Sequence, residues 1–469
     1  MKKIIKIFVI ALLSTTFVAC EDFLNYTPSN AVSDTDAFRS AQDVENALNG
    51  VYYTLGRYQF YGRNVVALGD IAADNTYMLG TTGHFDTEYK YTIVTSNPEL
   101  LEIWEYGYKT IDRAARVIEG GKALLETEIS DDDQKLIKSC IAQSYAIKAL
   151  SHFTLVNIFG LPYSDTNKST LGIILVDEKP IAAFEAVSRA TVAETYALVL
   201  KDINLAKTDI NLAAKEVFTF NAASLSALEA RVKLYMKDYN GASSAAQAAI
   251  AASGELVSDS TTYVDMWSSI ASTSEDILTI GKTADDNLSA NSLNTLYSNY
   301  AGKATSGLIS LFAPTDMRLG LFGDGSGEQV RALKYKGLPT SAATSNIPVF
   351  RLPEMYLILA EAKAQLSESD AVDYLYEIAK RNSELAKTDI PTDKDELLQF
   401  ISVERRRELF QEGHRWFDLR RTGEKLTRVG GNWAITNWDV SKFVYPIPQN
   451  EINASGISQN DGWNNNLPN

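Results

Sequence analysis

Between Glu404 and Arg421 the chain crowds arginines and carboxylates around two rings: Glu404-Arg405-Arg406-Arg407-Glu408, then Glu412, Arg415-Trp416-Phe417-Asp418 and Arg420-Arg421. Such residues could bind an anion, grip a nucleic acid, or pair with one another. Isolated buried charges are costly and Arg forks match carboxylates, so a paired network is the expected use, pinning the last helix to the segment after it. Little else offers covalent chemistry. His84, His152 and His414 lie far apart, and none sits in a zinc-ligand pattern. No G-x-S-x-G elbow, phosphate-binding loop or G-x-G-x-x-G turn occurs. Carboxylates suffice for a glycosidase pair, but none are singled out. Asp131-Asp132-Asp133 reads as the acidic first turn of a helix. Asp285-Asp286-Asn287 and Asp324-Gly325-Ser326-Gly327-Glu328 could hold a structural calcium; neither has EF-hand spacing, and solvated turns are the simpler reading. No other cofactor is implied.

Recognition without reaction asks for different residues. Flat aromatic faces suit the C–H faces of sugar rings, and short polar groups suit their hydroxyls. Two long irregular regions supply both. Residues 56–97 hold Tyr58, Phe60, Tyr61, Asp70, Asp74, Asn75, Tyr77, His84, Phe85 and Tyr89. Residues 256–337 hold Tyr263, Trp267, Asn287, Asn294, Tyr297, Asn299 and Tyr300. Loops of that length are often functional.

Helices must position these loops. Apolar and small residues recur at spacings of three and four, predicting helices over 41–55, 100–118 and 134–159. Another is predicted over 191–210, opened by a Thr191/Glu194 capping box. Helices over 222–236 and 242–252 are split by the turn Lys237-Asp238-Tyr239-Asn240. Small residues at Ala230, Ala242 and Ala249 match a tetratricopeptide-type helix pair. A looser relative spans 356–366 and 370–385, and residues 430–469 read as irregular. Cys140 and His152 read as core residues of the 134–159 helix.

The chain start gives the compartment. Lys2, Lys3 and Lys6 precede an apolar run from Ile7 to Val18, and Ala19-Cys20 closes it. A cysteine after a small residue there reads as a lipoprotein cleavage site, leaving an acylated Cys20. A plain secretory signal shares most of these features, and Phe17 stands where lipoproteins usually carry Leu. The run is shorter than the roughly 20 residues a membrane span needs. Cys140 is the other of two cysteines, so no internal disulfide follows. A formal net charge of -15 over 469 residues disfavours nucleic acid or anionic lipid as a partner.

The stretch Glu404 to Phe410, with Glu412-Gly413-His414-Arg415-Trp416-Phe417-Asp418-Leu419-Arg420-Arg421-Thr422-Gly423, strongly resembles the signature of the SusD/RagB family, surface lipoproteins of Bacteroidetes that capture nutrients. Tyr445-Pro446-Ile447-Pro448-Gln449-Asn450-Glu451-Ile452, Phe350-Arg351-Leu352-Pro353-Glu354-Met355-Tyr356-Leu357, Ala360-Glu361-Ala362, Asp22-Phe23-Leu24 and Ala47-Leu48-Asn49-Gly50-Val51-Tyr52 extend it over nearly the whole chain, with small departures such as Pro353. The resemblance implies a mainly α fold with a tetratricopeptide-like helical-repeat scaffold and long irregular loops. Segments 1–19 (signal) and 20–40 (tether) would precede an N-terminal region, 41–255, and a C-terminal region, 256–469, packed as one unit. It implies capture of an oligosaccharide or polysaccharide without catalysis, and delivery to a SusC-like TonB-dependent transporter. The location would be the outer membrane, facing outward, and Glu21-Asp22 resemble the group's surface-export signals. Ligand contacts are expected at Asn75, Tyr77, Phe85, Trp267, Tyr297 and Tyr300. A peptide-binding relative and a surface glycosidase are the alternatives.

Overall fold

A computed structural model describes residues 37–78, 83–300, 302–323, 330–332, 334–429 and 433–468. The signal, Cys20, most of the tether and the 324–328 calcium candidate lie outside these residues. α1 (Ala41–Leu55) starts where Ser40 accepts a hydrogen bond from the Asp43 backbone N–H. α2 (Asn64–Ile71) is a short helix inside the first irregular region. α3 (Pro98–Leu125) and α4 (Asp131–Phe159) pack along one another, and α1 lies against both. Asn97 and Ser130 cap them, with Pro98 and Asp131 in first turns where proline and acid are favoured. α5 (Val192–Lys207) carries the complete Thr191/Glu194 capping box. α6 (Ala222–Tyr235) and α7 (Tyr239–Ala252) form the tightest short pair. Ala230, Ala242, Ala246 and Ala249 are fully buried, and such small side chains let two backbones approach closely.

α8 (Leu352–Gln365) packs on α7 and continues the repeat into α9 (Ala371–Ala379) and α10 (Lys394–Glu408). Pro353 falls in the first turn of α8, where its missing N–H costs nothing. α11 (Arg415–Thr422) ends at Gly423, whose φ of 78° suits glycine. One hydrophobic core draws residues from Val44 to Ile457, so segments on both sides of residue 255 share it. A smaller core sits under α8–α10, around Leu357, Leu375 and Ile401. A third lies under the second irregular region, around Tyr263, Trp267, Leu308 and Phe410.

Among the described residues every sheet has two strands. β1 (Thr76–Tyr77) pairs antiparallel with β3 (Lys303–Ala304), joining the two irregular regions. β2 (Asp276–Ile280) pairs with β4 (Ile347–Arg351), Leu278 opposite Phe350. The helical expectations hold with shifted ends. α2 was not expected: all eight of its residues are buried, so it shows no polar face and no amphipathic period. The 370–385 prediction overruns. α9 stops at Ala379 because the Arg381 carbonyl accepts from Met317 N (3.0 Å), drawing the chain out of the helix. Tyr239 opens α7 instead of lying in the turn; the Asp238 side chain caps it through Gly241 N. Residues 430–469 contain a strand (Ile435–Trp438) and a helix (Gln449–Ser455).

Candidate functional site: a ring-lined face where two irregular regions meet

The charged stretch at the end of α10 builds the floor. Glu408 forms ion pairs with Arg351 (3.0 Å), Arg381 (2.5 Å) and Arg318 (3.3 Å). Glu404 takes Arg318 at 2.5 Å, and Glu412 takes Arg351 and Lys334 at 2.6 Å each. All these side chains are buried. Against the burial that would raise it, Arg381, Arg351 and Arg318 hold the Glu408 carboxyl far below the usual carboxylate range. His414 is half-buried, and desolvation pushes its pKa down to about 4, so the imidazole is neutral at pH 7. The carboxylates of the network are answered by its own cations, as in a structural cluster.

From this floor arginines reach the first irregular region. Arg415 makes a fork to Asp74 (2.9 and 3.0 Å), and Arg406 donates to Asn75 Oδ1 at 2.5 Å. The Asn75 carbonyl accepts from Thr305 N (2.9 Å) and Thr305 Oγ1 donates to the Asp74 carbonyl (3.0 Å), which locks the second region onto the first. α2 closes on the Glu412-Gly413-His414 turn so tightly that a Cβ at Gly69 would lie 2.1 Å from the Gly413 oxygen. Gly413 itself needs φ of 80°.

Above this lies a half-open face. The His84 and Tyr300 rings stack at 4.7 Å with an interplanar angle of 24°. Beside them Arg63 donates to Asn291 Oδ1 (3.0 Å) and sits 4.8 Å from the Tyr58 ring centre and 5.6 Å from that of Phe85. Tyr58 OH and Asn64 both donate to Glu102, at 3.1 and 2.8 Å. Tyr58, His84 and Tyr300 are half-exposed, whereas Arg63 is 4% exposed. Burial, then Arg63, lowers the His84 pKa below its ordinary 6.5, so the imidazole is neutral at pH 7. The face therefore presents two stacked rings, a third ring, the Asn291 amide, fixed by the buried Arg63 guanidinium, and the Glu102 carboxylate. It can hold a polyhydroxylated ring by stacking and hydrogen bonding.

Of the six expected contacts, Tyr300 lies on this face. Asn75 (1% exposed), Phe85 (0%), Trp267 (7%), Tyr297 (1%) and Tyr77 (9%) are buried, which corrects their expected role as open platforms. Phe85 packs beneath Arg63. Trp267 lies under Lys334 and Arg351, and Tyr297 stacks on Tyr335. Tyr77 is tied into β1 and Asn75 into Arg406. Arg63, Glu102 and Asn291 were missed; an arginine two residues after Tyr61 in an aromatic-rich stretch was the available signal. Asp285-Asp286-Asn287 forms an exposed turn in which Asp286 pairs with Lys282 at 3.0 Å. Cys140 is buried and its thiol is pushed up to about 12 by burial, so it is inert. His152 is a packed core residue whose Nε2 accepts from Val176 N.

Two family models match this chain: one described as the SusD family over residues 332–463, and one described as starch-binding, associating with the outer membrane, over residues 22–236. Between them the two matches span most of the chain, which is similar to SusD-family proteins along its length. SusD-like protein P2 of Formosa agariphila is 24% identical over 99% of this chain and 100% of its own length. The starch-binding protein SusD of Bacteroides thetaiotaomicron is 36% identical over 27% of this chain and 24% of its own. A SusD superfamily structure from Bacteroides vulgatus superposes with a TM-score of 0.81 at 29% identity, covering 91% of this chain and all of that one. A second, from Bacteroides thetaiotaomicron, gives 0.80 at 26% identity over 90% and 99%. The SusD signature thus coincides with the buried floor, and the half-open face lies outside it.

Proposed function

We propose that this SusD-like chain binds an oligosaccharide or polysaccharide at the outer cell surface without cleaving it, and passes it to a SusC-like TonB-dependent transporter. The observation that carries the reading is the stacked His84–Tyr300 pair, held half-open beside Arg63, Asn291 and Tyr58. Rings of this kind support sugar stacking, and the fixed Asn291 amide and Glu102 carboxylate support hydroxyl recognition. The starch-binding description of the family model and the name of the Bacteroides thetaiotaomicron relative agree with it. An acylated Cys20 supplies the anchor in this reading, and no cofactor is needed.

Calorimetric titration of the purified chain with neutral oligosaccharides, and in parallel with mixed oligopeptides, tests it. Saturable sugar binding is expected, with no new reducing ends after prolonged incubation. Tyr300→Ala should weaken that binding by about 2 kcal/mol, near thirtyfold, with little change in melting temperature. Binding of peptides but no sugar, or the appearance of reducing ends, would defeat the proposal.

A further inference from the structure

A second groove, of about 450 Å³, lies where the C-terminal end of α11 meets the loop after α4 and residues 441–442. Its lining includes Lys237, Arg420, Arg421 and Lys442, and no aspartate or glutamate. That is unusual for a chain whose formal net charge is -15. The neighbouring groove of about 400 Å³, across Arg421, Thr422 and Gly423, carries the opposite bias, with Glu361, Asp395, Asp418 and Glu424.

The four cations are not equally committed. Arg421 is matched by Glu361 and Asp418. Lys442 is 70% exposed and lies 3.6 Å from Asp439, a carboxylate already held by Lys425 at 2.7 Å. Lys237, exposed in the left-handed turn after α6 (φ 63°), makes no ion pair among the described residues. Arg420 is 3% exposed and meets no carboxylate among the described residues. It donates to the carbonyls of Asn157, Gly160 and Phe443, lies 4.5 Å from the Trp416 ring centre, and leaves its Nε without a partner. Burial lowers its pKa to about 10, so it stays cationic at neutral pH.

We propose that this groove binds the acidic group of a charged sugar, a ring carboxylate or a sulfate ester. The cations supply charge-assisted donors. The half-buried Tyr163 ring and the side chain of Asn167 at the rim supply the stacking face and amide that the sugar ring requires. The volume falls within the usual range for small-ligand clefts. The sugar part of the proposal rests on the carbohydrate reading above; the acidic part rests on the groove alone.

The test titrates the chain with trigalacturonate, with galactose 6-sulfate, and with their neutral parents, at low and high salt. Both acidic sugars should bind more tightly than the neutral parents, and salt should weaken them. The double variant Lys237→Gln/Lys442→Gln, both surface positions, should lose about tenfold in affinity for the acidic sugars and none for neutral ones. A response to one acid alone assigns the group as carboxylate or as sulfate ester. Equal affinity for acidic and neutral sugars, or an unchanged acidic affinity in the double variant, overturns the proposal. Neutral binding that still depends on Tyr300 would then leave the carbohydrate reading standing by itself.

Discussion

The charged floor at the end of α10 and the ring-lined face above it use overlapping side-chain types at opposite exposures. In the floor, Glu408 is fully buried and answered by three arginines. On the face, Arg63 has an amide and two rings for company, and Tyr58, His84 and Tyr300 stay half-exposed. A buried network whose charges answer one another offers a ligand no open surface. A face with open ring surface does. The lesson is that the most conspicuous motif in this sequence marks a buried structural network, and the face proposed for recognition is built from plainer residues outside it.

The sharpest way to break the contrast is to remove the centre of the floor. Glu408→Ala leaves Arg318, Arg351 and Arg381 short of a counter-charge, and unfolding free energy should fall by about 5 kcal/mol in a denaturant titration. A small loss would mean the network is looser than its geometry. Next comes the buried-ring class. Trp267→Ala should cost about 3–4 kcal/mol of stability, in opposition to Tyr300→Ala, which should cost affinity and little stability. A Trp267 variant with an unaltered melting curve and lost sugar binding would return that ring to the recognition surface.

A smaller effect distinguishes the two levels by pH. Asp70 is buried, and burial, only partly offset by hydrogen bonds from Thr76 and Gln411 N, raises its pKa from 3.8 to about 6. A raised acid favours folding below its unfolded value, and that contribution disappears as pH climbs from 3.8 through about 6. Asp70 should therefore contribute a loss of about 3 kcal/mol across this window, and denaturant titrations at several pH values should show the decline reduced by that amount in Asp70→Asn. The smallest effect belongs to the face. His84 is neutral at pH 7 and gains a proton only below its ordinary 6.5, placing a second cation beside Arg63. Sugar affinity should be level above neutrality and decline in acid. His84→Phe, which keeps a ring but not the proton, should abolish the decline.

Much of the scaffold was legible because long helices repeat their burial. The α1, α3, α4 and α6 patterns and the Thr191 capping box could be read from spacing. α2 could not, since a helix buried on all sides has no polar stripe. The paired character of the 404–421 stretch was legible from the cost of burying charge. The site was legible only at Tyr300, along with the broader sets containing Tyr58 and His84. The reason lies in the loops. Irregular segments with few helical contacts must bury their own rings to hold a shape, so Phe85, Trp267 and Tyr297 are spent on packing. Rings that pack and rings that face solvent have the same composition, and spacing in a loop carries no periodicity to tell them apart. Arg63 and Asn291 meet across 228 residues of chain, a separation no local pattern encodes.

That long-range contact, with the β1–β3 pairing beneath it, has an engineering corollary. The proposed binding face takes Tyr58, Arg63 and His84 from the first irregular region, Asn291 and Tyr300 from the second, and Glu102 from α3. Transplanting either loop alone onto a relative would deliver an incomplete pocket, so specificity must be exchanged as a matched pair. Apart from Glu102 on α3, the helices beneath could stay as they are.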